Sequence, residues 1–140
     1  IDSRRSCTGY VFKLANCAIA WASTKQKIVA LSSTEAEYIA LTTATQEAIW
    51  LKQLASELNV ADFAIPINVD NQSAIKLASS EGYRPRSKHI DIKFHFIREK
   101  LLHKLILLKY VQTEKNLADV LTKATTKEKM KFCSFEMGLK

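Results

Sequence analysis

Cysteine is scarce in this 140-residue sequence, which has three, at positions 7, 17 and 133. Their number is odd and no two of them have the CxxC spacing, so neither a disulfide framework nor a zinc site is expected. Reduced thiols are typical of intracellular proteins, and we expect the chain to be intracellular and not secreted.

Long apolar runs and several common motifs are also missing. No run approaches the roughly 20 residues of a membrane span, so no membrane partner is expected, and the first residues do not resemble a signal peptide. The patterns GxxxxGK[ST], GxGxxG, HExxH and GxSxG do not occur, which leaves P-loop, dinucleotide-binding, zinc-protease and serine-hydrolase functions without support. The length is that of one domain, 1–140. Because the chain begins at Ile1, we expect it to be a piece of a larger protein.

Positive charge is concentrated in one part of the chain. Lys and Arg outnumber Asp and Glu by 21 to 14, a net charge of +7. The balance is −1 over residues 1–75 (6 − 7) and +2 over 113–140 (6 − 4), but +6 over 76–112 (9 − 3). Such a block is typical of a phosphate-binding face, although a solvated face without a partner is the commoner meaning of a charge excess.

The hydrophobic pattern predicts an α/β domain. Alternation indicates a three-strand antiparallel meander at 4–14, 17–21 and 28–31, with turns at 15–16 and 23–27. A helix of roughly seven turns then begins at the caps Ser32 to Thr34 and ends near Leu58. The remaining predictions are a strand at 65–69 that runs parallel to a neighbour, helices at 72–78 and 89–104, a strand at 105–111, a helix at 117–124 and a helical tail from 125.

Glu37 is an acid where a helix facing a core normally carries an apolar residue. It lies three residues before Ala40, on a stripe of small and apolar residues that continues to Leu58. A buried carboxylate is costly unless it is paired or binds a metal. The helix alone leaves two interpretations open, a metal ligand or a capping-box partner of Thr34 at a solvated helix start.

Asp70 and Asp119 also occupy informative positions. Asp70 follows a predicted strand, and sites in α/β proteins collect at the carboxyl ends of strands. Asp119 lies in the first turn of a predicted helix that Asn116 caps. Each aspartate is equally explained as an ordinary acid at a helix start. We nevertheless predict that Glu37, Asp70 and Asp119 meet around metal ions.

Five blocks of the sequence, in order, resemble the ribonuclease H domain of copia-type retrotransposon polyproteins. They are RRSCTGYVFKL, AIAWASTKQKIVALSSTEAEYIAL, INVDNQSAIKLA, RSKHIDIKFHFIRE and NLADVLTK, and the resemblance covers nearly the whole chain. It implies an α/β fold with a ribonuclease H-like mixed sheet and helices packed on it. It also implies that Glu37, Asp70 and Asp119 are catalytic metal ligands, because the family's set is four carboxylates in the order Asp, Glu, Asp, Asp.

The resemblance implies cofactors and partners as well. Mg²⁺, with Mn²⁺ as a substitute, prefers such oxygen ligands, and two ions ~4 Å apart promote hydrolysis of a phosphodiester. The substrate would be the RNA strand of an RNA–DNA hybrid, bound through the basic block by Arg84, Arg86, Lys88, His89 and Lys93. A metal site of His89, Asp91 and His95 is less favoured. A reverse transcriptase domain would lie upstream in the polyprotein, located in a cytoplasmic particle or the nucleus.

One departure from the family pattern affects activity. The family's first Asp lies on a central strand just upstream of the block that begins here at Asp2, and Asp2 is not its equivalent. We therefore expect the first strand to be missing and the chain alone to be inactive or weak. The alternatives are a degraded or domesticated remnant that at most binds nucleic acid, and, less favoured, an integrase-type nuclease.

Overall fold

The structure is a computed structural model that describes residues 6–27, 29–30, 32–60, 62–80 and 88–139, with the side chains of residues 88 and 89 excepted. The helices and strands are β1 (Cys7–Leu14), β2 (Cys17–Lys25), α1 (Ser33–Glu57), β3 (Ile65–Val69), α2 (Gln72–Ser79), α3 (Lys88–Leu102), β4 (Ile106–Tyr110) and α4 (Lys127–Glu136). Two 3₁₀ segments, Thr113–Lys115 and Leu117–Leu121, lie between β4 and α4. None of the helices in these ranges is both long and apolar enough to cross a membrane.

β1 and β2 form an antiparallel hairpin, as the alternation predicts. Ala15 and Asn16 both have positive φ, 52° and 64°, which is the backbone that a two-residue turn needs to match the twist of the strands. The pairing continues to Cys7↔Lys25, so the predicted polar turn at 23–27 is wrong. Residues 23–25 instead extend the ladder, because β1 offers them backbone partners.

The predicted third strand of the meander is also wrong where it is described. Val29 and Ala30 are not in a strand, and Ile28 and Leu31 lie outside the described residues. Gln26 closes the hairpin by donating its backbone N–H to the Ser6 carbonyl at 2.7 Å. Val29 and Ala30, the described residues between Lys27 and the cap of α1, pair with no strand, so the described front of the domain is a two-strand hairpin.

α1 begins where the caps predict. Ser32 is its N-cap and accepts the Glu35 N–H at 3.1 Å, which satisfies one of the free donors of the first turn. The buried face of the helix carries Tyr38, Leu41, Thr45 and Ala48. Ala48 belongs to the predicted stripe and is on this buried face, whereas the stripe residues Ala40, Leu51, Ala55 and Leu58 border a cleft described below.

β3 and β4 pair in parallel, in the register Ile65↔Ile106 to Val69↔Tyr110, as expected for strands joined by a helical crossover. The core lies between this pair and the helices α1, α2 and α3. Ile97 and Ile106 are fully buried there, as are Ala48 and Ala74. α3 confirms that the ambiguous stretch after residue 88 is a helix, whose buried residues are Ile90, Phe94 and Ile97.

The end of the chain is less helical than predicted. Leu117–Leu121 is a 3₁₀ segment and not an α-helix to 124. The Thr122 hydroxyl donates to the Asp119 carbonyl at 3.0 Å, an alternative partner that competes with a continuing α-helix. A true helix restarts only at the Thr126 cap, as α4, which buries Cys133 and leaves Phe135 largely exposed.

The strands form two two-stranded sheets and not one mixed sheet. β1 pairs with β2, and β3 pairs with β4. Within the described residues, no strand pairs with both β1 and β3. The α/β class is therefore confirmed, while a single ribonuclease H-like sheet is not formed by these four strands alone.

Gly9 is where β1 touches the 3₁₀ segment that carries Asp119. A Cβ at this position would lie 2.6 Å from Thr122 Cγ2, 3.1 Å from the Ala118 carbonyl oxygen and 3.2 Å from Leu121 Cβ. Contacts this short require the neighbouring atoms to move. The absence of a side chain at Gly9 thus sets how closely the segment approaches the hairpin.

We expect Gly9→Ala to lower the free energy of unfolding by about 1–3 kcal/mol, the usual cost of overpacking, measured by urea denaturation. Thr122→Ser removes the clashing Cγ2 and keeps the hydroxyl that bonds Asp119, so the double variant should recover part of the loss. If Gly9→Ala lowers the free energy of unfolding equally with and without Thr122→Ser, the contact with Thr122 does not set the distance between the 3₁₀ segment and β1.

Candidate carboxylate site

Glu37 lies in the first turns of α1, half-buried, and its side chain borders the cleft between β1 and β3. The capping interaction at this helix start joins Ser32 and the Glu35 N–H, so the interpretation of Glu37 as a partner of Thr34 is wrong. Glu37 is thus an acid held away from full solvation without a capping role.

Asp70 follows the last residue of β3. The N-cap of α2 is its neighbour Asn71, whose side chain accepts the Ala74 N–H at 3.0 Å, so Asp70 is not the cap. Its Oδ2 instead accepts from Asn116 Nδ2 at 3.0 Å. The same Asn116 accepts the Ala118 N–H through Oδ1 at 3.1 Å, so one side chain connects the end of β3 to the segment that carries Asp119.

Asp119 is buried, with 7% of its surface exposed. Its Oδ2 lies 2.6 Å from Lys129 Nζ and 3.3 Å from Lys123 Nζ. A buried carboxylate needs such partners, because losing its hydration is costly. A solvated acid at a helix start, the simpler explanation, does not describe this environment.

The three acids affect one another electrostatically. The pKa of Glu37 is raised to about 7, chiefly by burial and then by the negative charges of Asp70 and Asp119, while Lys123 lowers it. Burial and nearby like charges both favour the neutral carboxyl. Asp70 and Asp119 therefore lie close enough to Glu37 to affect its charge, although the three residues are up to 82 positions apart in the sequence. Their role as metal ligands stays a prediction.

The donor set suits a hard divalent cation in its chemistry, but the acids are not gathered as a finished site. Carboxylate oxygens are the ligands that Mg²⁺ prefers, and a cation would offset the negative charges that, after burial, raise the pKa of Glu37. However, no three His, Cys, Asp or Glu side chains among the described residues are spaced to hold one ion. The three acids are chemically suited to such a cation but do not form a site for it by themselves, and metal binding stays a prediction.

A cleft of about 590 Å³ opens beside these acids. β1 from Gly9 to Leu14 and β3 line it, together with Ala40, Ala44, Leu51, Ala55 and Leu58 of α1. Glu37 and Asn116 border it as well. Among the described residues β1 has one strand partner, β2, and β3 has one, β4, so each of the two strands that line this largely apolar space has one edge without a described strand partner.

The predicted nucleic-acid ligands are only partly located. Arg84 and Arg86 lie outside the described residues, and only the backbone of Lys88 and His89 is described, in the first turn of α3. Lys93 lies one turn further along, half-buried. Asp91 and His95 form an exposed i,i+4 pair at 3.3 Å, which accounts for this acid and this histidine without a metal.

Sequence reasoning missed two residues that shape the site. Asn116 was predicted only as a helix cap, and Lys129 only as part of a helical tail. No spacing rule connects Lys129 to Asp119, since a break between two helical segments separates them. Only the fold of the chain end brings that ammonium to the carboxylate.

The chain is similar, over nearly its whole length, to retrovirus-related Pol polyproteins of transposons. It is 42% identical over 139 residues (99% of this chain) to that of transposon TNT 1-94 from Nicotiana tabacum, and 34% identical over the same share to that of transposon RE1 from Arabidopsis thaliana. It is 30% identical over 120 residues (85% of this chain) to the transposon Ty1-NL2 Gag-Pol polyprotein of Saccharomyces cerevisiae. No family model and no solved structure matches the chain.

Its homologues are therefore Pol polyproteins of copia-type retrotransposons. The chain spans about 10% of the length of the two plant polyproteins and 7% of the yeast one. The predicted polyprotein context is supported at this level.

We expect the stability difference between Glu37→Gln and the unchanged chain to depend on pH. The pKa of about 7 in the folded state lies above the ordinary value of 4.5, so the folded state holds the proton more tightly and loses stability as pH rises between these values. Gln removes that loss, so the variant should gain roughly 2–3 kcal/mol relative to the unchanged chain between pH 4.5 and pH 8.

Urea denaturation at several pH values measures this difference. Glu57→Gln, at an exposed position of the same helix, is the matched control and should show no such pH-dependent gain. Parallel stability curves for the Glu37 variant and the unchanged chain would contradict the description of Glu37 as a buried acid among like charges.

Proposed function

We propose that the chain is the ribonuclease H-type nuclease domain of a retrotransposon Pol polyprotein and hydrolyses the RNA strand of RNA–DNA hybrids. The observation that carries the proposal is the convergence of Glu37, Asp70 and Asp119, with the pKa of Glu37 raised to about 7. An acid with a strongly raised pKa beside a cleft, such as Glu37, is typical of functional sites. The similarity to transposon Pol polyproteins over 99% of the chain supports the same function.

Glu37, Asp70 and Asp119 would hold Mg²⁺, or Mn²⁺ in its place. The metal would activate a water for attack on the phosphodiester and stabilise the leaving oxygen. The protein would position these ligands: Asn116 fixes Asp70 through its 3.0 Å hydrogen bond, and the lysines fix Asp119. The proton held by Glu37 near neutral pH would leave when the cation binds, because ligands must be deprotonated.

We further propose a ribonuclease H-like sheet, completed by a strand in the cleft between β1 and β3. Both strands line this space and each has a single strand partner among the described residues, and an unpaired edge accepts a further strand. The apolar residues of α1 that line the cleft suit alternate apolar side chains of that strand. A carboxylate on it would supply the family's remaining ligand beside Glu37.

The basic block would bind the hybrid. Arg84, Arg86, Lys88, His89 and Lys93 are the proposed contacts to the phosphate backbone, and preference for a hybrid over DNA would depend on contacts to 2′-hydroxyls. An upstream reverse transcriptase domain would be the partner in the polyprotein. The proposed location is a cytoplasmic particle or the nucleus.

A designed extension tests the site and the strand together. We expect the 140-residue chain with Mg²⁺ to cleave a labelled hybrid very weakly. Fusing a strand of alternating apolar residues with one Asp to its first residue should raise the rate by at least 100-fold, because the extension supplies both the missing sheet pairing and a ligand. A gel assay of labelled RNA measures this.

Three controls separate the possible causes. The same extension with Asn in place of Asp should restore the sheet pairing without the rate, and Asp70→Asn should abolish the cleavage of the Asp version. Salt-dependent retention of the hybrid without product in every variant would indicate a nucleic-acid-binding remnant. Full-rate cleavage by the chain without the extension would contradict the proposed role of the additional strand.

A further inference from the structure

The two lysines that contact Asp119 differ in how firmly they are held. Lys123 belongs to the same turn region, four residues on, and its side chain is 59% exposed. Lys129 comes from α4, and its side chain is only 16% exposed. An exposed pair is screened by water and contributes little, so Lys129 is the stronger partner of the carboxylate.

Lys129 has a second anchor that fixes its ammonium. Nζ donates to the Thr113 carbonyl at 2.6 Å as well as to Asp119 Oδ2 at 2.6 Å. The backbone of Lys129 is held as well, because its N–H donates to the Thr126 side chain, the N-cap of α4, at 3.2 Å. α4 therefore delivers a rigid positive charge to the carboxylate site.

The two oxygens of Asp119 have different surroundings as a result. Both lysines contact Oδ2. Within the part of the chain that the structure describes, Oδ1 makes no hydrogen bond or ion pair. A cation that approached Asp119 would reach Oδ1 while Lys129 stayed on Oδ2, and the two positive charges would then share one carboxylate.

We propose that Lys129 is the resident counter-cation of the carboxylate site, that it orients Asp119, and that it weakens the binding of a divalent cation there. The inference rests on the proposed metal-dependent function and identifies a residue that regulates it. Like charges a few ångströms apart repel even in water-like surroundings. The same ammonium offsets the repulsion among the acids when no metal is present, so Lys129 stabilises the metal-free domain at the expense of metal affinity.

Lys129→Gln tests the proposal, because Gln removes the charge and can still donate a hydrogen bond to Asp119. We expect it to bind Mn²⁺ about tenfold more tightly than the unchanged chain, from the Coulomb energy of one nearby unit charge. Electron paramagnetic resonance of free Mn²⁺ during titration measures the affinity. Folding of each variant is checked by circular dichroism before titration.

Two matched variants sharpen the result. Lys129→Arg keeps the charge and should bind Mn²⁺ as the unchanged chain does. Lys123→Gln removes an exposed charge from the same oxygen and should change the affinity by less than about threefold, because solvent screens it. If Lys129→Gln does not fold, a comparison of Lys129→Arg with Lys129→Met decides the question in the same assay.

Two results would overturn the inference, and they are distinguishable. If the unchanged chain binds Mn²⁺ and Lys129→Gln binds it equally or less tightly, Lys129 is only a structural anchor and the proposed function stands. If neither binds Mn²⁺ at millimolar concentration, the inference fails together with the metal site of the proposed function. Binding by Lys129→Gln alone would support the inference most strongly.

Discussion

The constraint on which this structure depends is a half-buried carboxylate, Glu37, that lies within electrostatic reach of Asp70 and Asp119. Burial first, and the two neighbouring negative charges second, raise the pKa of Glu37, and both effects oppose its ionisation in the folded state. The surrounding structure offsets the negative charges in three ways: a proton on Glu37, an amide hydrogen bond to Asp70 and two ammonium groups on Asp119. Under the proposed function, a divalent cation would take over this compensation.

The helices and strands around the site place the partners of Asp70 and Asp119 beside these two carboxylates. The parallel pair β3 and β4 places Asp70 at a strand end, and Asn116 ties that end to the 3₁₀ segment. The bare backbone of Gly9 lets the same segment lie against β1. α4 then closes over it and contributes Lys129. Small changes at positions with no catalytic chemistry would therefore move a carboxylate.

Much of the fold followed from local patterns. The positive-φ turn at Ala15-Asn16, the Ser32 cap and the length of α3 were predictable, because turn geometry, capping and hydrophobic period are encoded by neighbouring residues. The strand predicted at 28–31 is not formed by its described residues, Val29 and Ala30. A short apolar run becomes a strand only where a neighbouring strand is available to pair with it. The helical period also predicted an apolar stripe between Ala40 and Leu58, and most of its residues line a cleft. Periodicity indicates an apolar face of a helix but does not indicate what packs against that face.

The sequence alone was enough to choose the three candidate acids: Glu37 lies on an apolar stripe, Asp70 follows a strand and Asp119 follows a cap. It also determined the resemblance on which the proposed function rests. Only the tertiary structure decided that Asn116 holds Asp70 and that Lys129 holds Asp119. The first contact joins residues that are 46 positions apart in the sequence, and the second joins residues that are 10 positions apart. No local pattern relates the partners, because the packing of β3, the 3₁₀ segment and α4 sets the distance between them.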